Sequence, residues 1–384
     1  MKKKIVLIAT LAIALILPLA ISVEKADADA ILFPWVTKSA TVSTVLSVIN
    51  TAQGDGSAEV LHYQYWYKQS TANGQTEVCD NISFKRSTSK DDIVTFDAAG
   101  NMNGGQALFS DPGAGTWKGG PAYGSARYDL NVTAPRRAFL IVDNNTDAFV
   151  NDATNEDGTM YGEAMMIEIA GGAAWGYIAY NASGGEGSSQ NGAVRFDDGL
   201  DVLGEVIGIT ETTQTVLLPP DTITTRFFMT PVETTSQRDG DADSGIQLCI
   251  DPDNAGGCDE GGIYDNDENK IDFEKEKAIR CTSGDDLEDL MTEASFNTFS
   301  ATGGQGWSYI ITFADSLGDG VDSDGMIIGK LEFTTTGVTL DGTTVPGTLN
   351  NFVWLRDNES IVGEFGINDI HNCVLDTTDA LSCD

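Results

Sequence analysis

Apolar and polar side chains alternate at every second position, and this alternation constrains the fold of the chain most strongly. Between Glu59 and Lys68, one face of the segment carries Leu61, Tyr63, Tyr65 and Tyr67. Successive side chains of a strand point to opposite faces, whereas a helix repeats about every 3.6 residues. Aromatic residues are also enriched in strands. The pattern therefore predicts a half-buried β-strand.

The same alternation recurs along the chain, and clusters of Gly, Asn, Asp and Ser typical of turns separate its occurrences. The alternating sets are Ile223, Thr225, Phe227 and Met229; Trp307, Tyr309, Ile311 and Phe313; and Ile327, Leu331 and Phe333, with Gly329 in the remaining position. Further strands are predicted over Thr41–Ile49, Asp92–Phe96, Ala126–Val132, Ala138–Val142, Ala164–Ile169, Trp175–Tyr180, Thr215–Leu218 and Phe352–Leu355. Many short antiparallel strands predict an all-β fold, a β-sandwich of the Ig-like or jelly-roll-like kind.

Helical patterns are scarce. The better one covers Asp285–Ser295, where Leu287, Leu290 and Met291 fall on one side. A weaker one covers Lys270–Ile279. We therefore expect a minor helix near 285–295 beside the sheets.

A change in composition divides the chain. The segment from Gln237 to Asn269 is dense in Asp, Gly and Asn and has few apolar residues. Loops of this length are unusual inside a compact domain. The division predicts a β-sandwich domain over 31–235, an acidic Gly/Asp-rich loop or linker over 236–270, and a second β-rich module over 271–384. A long excursion from one sandwich is the alternative.

Residues 1–30 have the pattern of a secretory signal peptide. Three lysines at Lys2–Lys4 precede the apolar run Ile5–Ile21, and Ala28 and Ala30 supply the small residues of a cleavage site. The run is short for a membrane span, so cleavage after Ala30 is favoured over a retained anchor. The prediction is a protein with no membrane span after cleavage, secreted to the extracellular space or the cell surface, with the periplasm as an alternative.

The predicted mature chain opens with an apolar segment, Ile31–Val36, ahead of the Thr/Val-rich strand that ends at Asn50. Together with the region up to Phe96, this segment resembles the first strands of uncharacterised secreted bacterial surface proteins. The resemblance implies a β-sandwich and a surface location. Pro34 has no N–H donor, so it suits an edge or the beginning of a strand. Exchange of this strand between subunits is a second hypothesis beside an ordinary first strand.

Acidic residues outnumber basic ones by 58 to 22, which gives a formal net charge of −36 and a pI near 4.1. This balance argues against nucleic acid and anionic lipid as partners, because both require basic patches. The negative electrostatic field that this charge produces also keeps copies of the protein apart unless salt or divalent cations screen it. A hydrophobic fraction of 41% is enough for a core.

Cysteine usage agrees with export. The six cysteines are Cys79, Cys249, Cys258, Cys281, Cys373 and Cys383, and an even number in an exported chain predicts disulfides. Closeness in sequence favours the pairs Cys249–Cys258 and Cys373–Cys383, which leaves Cys79 for Cys281. The sequence does not exclude other pairings.

Three Asp-rich segments are candidate calcium sites, because Ca²⁺ binds carboxylate and carbonyl oxygens that alternate in a tight loop. The candidate ligands are Asp239, Asp241 and Asp243; Asp265, Asp267, Asn269 and Glu276; and Asp319, Asp322 and Asp324. The second set resembles an EF-hand loop, but Lys270 replaces the glycine that allows its sharp turn. The calcium would be structural. The alternative is that these segments are solvated turns in an acidic protein.

Signatures of common enzymes are absent from the sequence, including G-x-S-x-G, H-E-x-x-H, the P-loop and the dinucleotide fingerprint. The sequence therefore favours a non-enzymatic structural or adhesive β-protein, calcium-stabilised and self-assembling, with another copy or an envelope or glycan component as its partner. The alternative is a secreted carbohydrate-binding protein or glycan-active hydrolase. Its stacking surface would be the Tyr63–Tyr67 strand, or Trp117, Trp175 and Trp307.

Overall fold

The computed structural model describes residues 30–39, 41–50, 59–69, 78–88, 92–99, 128–130, 136–143, 160–168, 173–182, 212–231, 244–252, 258–279, 281–314, 326–334, 338–340, 343–345, 349–355, 374–375 and 381–382. These ranges are mostly β-strand, and all strand pairs are antiparallel. The prediction of an all-β fold is confirmed.

Sheet 1 is a nine-stranded sheet built from the first half of the chain. Its strands are β1 (Ala30–Lys38), β2 (Val42–Asn50), β3 (Glu59–Gln69), β4 (Val78–Thr88), β5 (Asp92–Asp97), β6 (Arg136–Asp143), β7 (Met160–Glu168), β8 (Ala173–Ile178) and β9 (Tyr180–Ala182). The order is β4-β3-β6-β1-β2-β7-β8, with β5 paired to β2 and β9 paired to β1.

The described residues form two further large sheets and two helices. Across sheet 2 the strands follow in the order β16 (Ser283–Asp286), β11 (Thr224–Pro231), β18 (Met326–Thr334) and β21 (Leu349–Leu355). Across sheet 3 the order is β10 (Thr212–Leu217), β17 (Gly306–Ala314), β12 (Ser244–Pro252), β13 (Cys258–Asp265) and β14 (Lys270–Asp272), and β15 (Glu276–Ile279) pairs with β12. The helices are α1 (Leu287–Leu290) and α2 (Glu293–Thr302), and the hairpins are β19 (Val338–Leu340) with β20 (Thr343–Val345) and β22 (Val374–Leu375) with β23 (Leu381–Ser382).

Sheet 2 is the middle layer of three. Phe228 of β11 belongs to the core shared with sheet 1, whereas its neighbours Phe227 and Met229 belong to the core shared with sheet 3 and the helices. In β18 the same division separates Ile327 from Ile328. Strands buried on both faces need apolar residues at successive positions. This explains the unbroken run Phe227–Met229.

β1 lies inside sheet 1, between β6 and β2, so the expectation of an edge position for Pro34 is wrong. The register against β6 shifts between Phe33 and Val36. A bulge is a position where a strand tolerates the missing N–H of proline. The carbonyl of Pro34 accepts a hydrogen bond from the hydroxyl of Thr230 at 2.6 Å, which joins sheets 1 and 2. In this structure β1 pairs with strands of its own chain.

Gly329 brings sheets 1 and 2 together. A Cβ at this position would lie 2.7 Å from the Trp35 ring of β1 and 2.6 Å from the Phe352 ring of β21. The two rings pack edge to face, with centroids 5.5 Å apart. The missing side chain at Gly329 therefore provides the space that Trp35 occupies in the core.

Two of the predicted disulfides are present. Cys249–Cys258 joins β12 to β13 within sheet 3. Cys79–Cys281 joins β4 of sheet 1 to the residue two positions before β16, across a sequence separation of 202. The described part of the chain contains no free cysteine. The predicted pair of Cys373 and Cys383 lies outside the described residues.

One of the two helix predictions agrees with the structure and the other does not. The region near 285–295 contains α1 and the start of α2, as expected, although Asp285 and Asp286 belong to β16. The weaker prediction over Lys270–Ile279 is wrong, because that segment forms β14 and β15. Ile271 and Phe273 are buried while their neighbours are exposed. This alternation outweighs the helix propensity of the Lys and Glu residues.

Sheet 3 takes strands from each of the three predicted segments. β10 comes from the predicted first domain, β12 and β13 from the predicted linker, and β15 and β17 from the predicted second module. The described part of the linker is therefore largely β-strand. Residues 128–130, within the predicted strand Ala126–Val132, are not in a strand. Neither described helix has the length and hydropathy needed to cross a membrane.

Candidate functional site

A cleft of about 460 Å³ lies where one end of sheet 1 meets β11 of sheet 2. Most of its charged lining is basic: the cations are Lys38, Lys68, Arg136, Arg137 and Arg226, and Glu168 is the one acidic residue among the described lining residues. These cations are five of the 22 lysines and arginines in a chain whose net charge is −36. We call this feature the basic cleft.

Strand register assembles the basic cleft from distant parts of the sequence. Lys38 at the end of β1 lies opposite Arg136 at the start of β6, and Thr37 lies opposite Arg137. The Nζ of Lys38 donates a hydrogen bond to the carbonyl oxygen of Leu130 at 2.6 Å. Lys68 of β3 lies opposite Cys79 of β4, so the disulfide between sheets 1 and 2 is adjacent to the cleft.

Arg226 is held by Asp286. Its Nε and Nη2 donate to the two carboxylate oxygens at 2.6 and 3.1 Å, a bidentate pair between neighbouring strands. Desolvation is the largest influence on the pKa of Arg226 and lowers it, but the hydrogen bonds to Asp286 and the negative charges of the neighbouring carboxylates together outweigh it, so the net shift is upward. Paired arginines of this kind have a fixed orientation. The Arg226 guanidinium is therefore a preorganised part of the cleft wall.

Arg137 is an exposed residue of sheet 1, and its side chain extends to sheet 2. Its Nε lies 3.1 Å from the position that a Cβ on Gly284 would occupy. Desolvation lowers the pKa of Arg137, and the charge of Asp285 opposes that shift. The guanidinium stays cationic at any physiological pH because arginine titrates far above neutrality. A permanent positive charge therefore lies at the junction of the two sheets.

The basic cleft also has an apolar wall. Its members are Val42, Met166, Trp175 and Phe228. The rings of Trp175 and Phe228 lie 6.1 Å apart at a tilt of 39°. Phe228 and Met166 are buried, whereas Trp175 is partly exposed. An anion with an apolar face could therefore contact cations and an aromatic ring in the same cavity.

Sequence reasoning missed the basic cleft. The available signal was the adjacent pair Arg136 and Arg137, which stands out in so acidic a chain. Lys38, Lys68 and Arg226 carry no local signal, because their proximity depends on long-range strand pairing.

The structure places the second calcium candidate in the turn between β13 and β14. Oδ1 of Asp265 accepts hydrogen bonds from the backbone N–H groups of Asp267 and Asn269, both at 2.9 Å. The Asn269 side-chain amide donates to both carboxylate oxygens of Asp265, and these bonds lower the pKa of Asp265. Glu276 lies in β15, which pairs with β12.

The calcium candidates do not converge in the described part of the chain. There, no three His, Cys, Asp or Glu side chains form a group suited to a metal ion. Asp265, Asp267 and Glu276 are thus not brought together. The other candidates, Asp239, Asp241, Asp243, Asp319, Asp322 and Asp324, lie outside the described residues. Calcium binding stays a prediction.

The aromatic residues proposed as a sugar-stacking surface lie in different parts of the structure. Tyr63 and Tyr65 are fully buried and Trp66 and Tyr67 nearly so, which makes this strand part of the core. Trp307 is 37% exposed on sheet 3 and stacks on Tyr264 with centroids 4.9 Å apart. Trp175 lines the basic cleft on sheet 1, and Trp117 lies outside the described residues. The hypothesis that β3 presents a flat sugar-binding face is therefore wrong.

Comparisons with known proteins add little. No family model matches the chain, and no curated protein matches it. A solved structure of a candidate secreted protein from Parabacteroides distasonis aligns with 8% sequence identity over 80% of this chain and 83% of that one, with a TM-score of 0.17. Similarity at this level carries no argument about fold or function.

Proposed function

We propose that this chain is an exported, non-enzymatic β-protein with a structural or adhesive role at the cell surface. The observation that carries the proposal is the disulfide between Cys79 and Cys281, which joins sheet 1 to the segment leading into sheet 2. Disulfides of this kind form and persist in oxidising compartments outside the cytoplasm. The signal-like residues 1–30 agree with the same destination.

The layered architecture supports a structural role. Sheet 2 contributes apolar side chains to two cores, one on each face. A body with buried layers and a covalent link between them resists local opening. Resistance of this kind suits a protein that works outside the cell.

Calcium and self-assembly belong to the same proposal. A formal charge of −36 repels other copies of the chain. Divalent cations bound to Asp-rich segments would reduce this repulsion, and binding to the folded state alone would also stabilise it. The segments around Asp239 and Asp319 supply the carboxylates for such binding.

Light scattering on the purified mature protein tests this proposal. We expect the mass to increase in millimolar calcium and to return to that of the monomer in EDTA. Magnesium at the same concentration controls for general screening of charge. A mass that stays monomeric in all three conditions would overturn the self-assembly and calcium parts of the proposal.

A variant set identifies the segment responsible. Replacing Asp239, Asp241 and Asp243 together by Asn removes one candidate set, and replacing Asp319, Asp322 and Asp324 removes another. If either segment controls assembly, its variant stays monomeric in calcium. Asp259→Asn, Asp272→Asn and Glu274→Gln together, three exposed positions on sheet 3 and in the segment that follows β14, serve as the matched control for three lost charges.

A further inference from the structure

We propose that the side chains of Lys330 and Asn351 join in an isopeptide bond, a covalent cross-link for which Glu332 transfers the protons. This inference goes beyond the structural role proposed above and does not depend on it. It is carried by one juxtaposition. The Glu332 carboxylate accepts a hydrogen bond from the Lys330 amine at one oxygen and from the Asn351 amide at the other.

The strand register of sheet 2 places the three side chains on one face. Lys330 and Glu332 are two positions apart on β18, and Asn351 of β21 lies opposite Glu332. Side chains directly opposite each other in an antiparallel pair are close enough to interact. Oε1 of Glu332 accepts from the Lys330 Nζ at 2.9 Å, and Oε2 accepts from the Asn351 Nδ2 at 3.0 Å. One carboxylate therefore bridges a primary amine and a primary amide.

The amine and the carboxylate are almost completely shielded from water. Lys330 is 5% exposed and Glu332 is 6% exposed, and lysine is rarely buried so deeply unless it is paired. Lys330 lies opposite Phe227, a residue of the core between sheets 2 and 3, and its Nζ also donates to the Val216 carbonyl at 2.7 Å. These contacts hold the amine in a fixed position beside the carboxylate.

The reaction balances with ammonia as its by-product. Lys330 passes a proton to Oε1 of Glu332, and its nitrogen, now a neutral amine and a nucleophile, attacks Cγ of Asn351 to form the new C–N bond. Glu332 then donates its proton to the Asn351 Nδ2 and accepts a second proton from the Lys330 nitrogen. The Cγ–Nδ2 bond breaks, and ammonia leaves and takes the second proton as ammonium. The step needs no oxidant or co-reactant.

Proximity makes aminolysis of an unactivated amide feasible here. Groups held together in a productive geometry react as if one were present at effective concentrations of ~10⁵ M or more. The hydrogen bonds of Glu332 hold the amine and the amide at the two oxygens of one carboxylate. Asn351 is exposed, so the released ammonia has a path to solvent and is lost to the reverse reaction.

The cross-link would fasten an end strand. In the described part of the chain, β21 is the last strand of sheet 2 and is paired there with β18. A strand with a neighbour on one side only is held by fewer interactions and opens more easily than an interior strand. A bond between Lys330 and Asn351 prevents this opening, and unlike a disulfide it persists in reducing surroundings.

Mass spectrometry of the purified mature protein tests the proposal. After reduction of the disulfides, we expect the intact mass to be lower than the sequence mass by one ammonia, about 17 Da. Trypsin should fail to cleave after Lys330, so residues 281–330 and 331–356 should appear as one peptide. Further cleavage by chymotrypsin at Phe333 should leave two chain segments joined through Lys330 and Asn351.

Three variants assign the roles. Glu332→Gln keeps the shape of the side chain but removes the proton acceptor, and Asn351→Ala removes the amide. We expect both variants to have the full sequence mass and to be cleaved by trypsin after Lys330. Asn350→Ala is the matched control, because it removes the neighbouring amide of β21, which donates to the Ala174 carbonyl instead. This variant should keep the cross-link.

Each outcome decides the proposal. A wild-type protein with the full sequence mass would overturn it. A loss of ammonia confined to a single unjoined peptide would also overturn it, because that is the mark of a succinimide at an asparagine. A cross-link that persists in Glu332→Gln would contradict the role of Glu332. The wild-type measurement does not require any variant to fold. The light-scattering result is independent of it, so failure of one proposal does not obscure the other.

Discussion

At the scale of single residues, a buried carboxylate makes the stability of this protein dependent on pH. Asp97 has no exposed surface, and its Oδ1 accepts hydrogen bonds from the Ser43 hydroxyl and the Ala99 N–H. Its Oδ2 has no hydrogen-bond partner in the described part of the chain. Burial raises the pKa of Asp97; the hydrogen bonds and Lys38 oppose the shift, and Asp129 adds to it.

Because the pKa of Asp97 is raised by folding, this group stabilises the protein below the pKa of an unfolded aspartate. The stabilisation is lost as the pH rises through the pKa in the folded state. We expect Asp97→Asn to match the wild type near pH 3.5 and to exceed it at pH 7 by on the order of 1 kcal/mol. Urea unfolding at both pH values measures this difference.

Ser43→Ala is the companion variant for Asp97→Asn. It removes a donor to the carboxylate but retains the charge, so we expect it to be less stable than the wild type at pH 7. A stability difference between Asp97→Asn and the wild type that is the same at both pH values would contradict the interpretation.

At the scale of elements, α2 shows how local sequence ends a helix. The Thr292 hydroxyl accepts a hydrogen bond from the backbone N–H of Ser295 at the amino end. At the carboxyl end, Gly303 has φ 62° and its N–H donates to the Ser300 carbonyl. A Cβ at Gly303 would meet nothing within 4 Å. The only expected cost of a side chain there is the left-handed backbone conformation.

We therefore expect Gly303→Ala to lower the free energy of unfolding by about 1 kcal/mol, the usual cost of that conformation for an L-residue. Gly303→Asn should cost clearly less, because asparagine tolerates this backbone region. Urea unfolding of both variants gives the comparison. Equal losses in the two variants would contradict backbone strain as the cause.

The elements also show which patterns can be interpreted locally. β3 buries the alternating set Leu61, Tyr63, Tyr65 and Tyr67, which is visible in the sequence, and also Trp66 of its other face. β14 and β15 alternate too, but their many Lys and Glu residues resemble a helix. β18 is buried on both faces, so its alternation marks two cores and not one core and solvent. A pattern of period two predicts a strand without showing how many layers cover it.

At the scale of the whole molecule, the disulfides have different expected effects. Cys79–Cys281 has a sequence separation of 202, and Cys249–Cys258 has one of 9. Cross-linking restricts the unfolded chain more when the loop is longer. We expect replacement of Cys79 and Cys281 by Ser to lower the free energy of unfolding by about 5 kcal/mol, and replacement of Cys249 and Cys258 by about 2.5 kcal/mol.

Unfolding of both double variants in urea under oxidising conditions checks this order. The pair of variants is matched, because each removes one disulfide and adds two hydroxyl groups. A larger loss in the Cys249 and Cys258 variant would contradict the dominance of loop length and would show that the link between layers contributes little.

The distribution of charge is also a property of the whole molecule. The sequence indicates a strong negative electrostatic field, which argues against nucleic acid and anionic lipid as partners. The structure gathers five of the 22 basic residues around one cavity. Net charge describes the average field and does not reveal a local concentration of the opposite sign.

The sequence by itself predicted many of the strands, a helix near 285–295 and the local disulfide Cys249–Cys258. Each depends on residues close together in the chain, so periodicity and spacing contain the information. Tertiary structure alone decided the interior position of β1, the two cores of sheet 2 and the meeting of Lys38, Lys68 and Arg226 in the basic cleft. These arise from strand pairings between distant segments, and their energy comes from burial and register that no single segment contains.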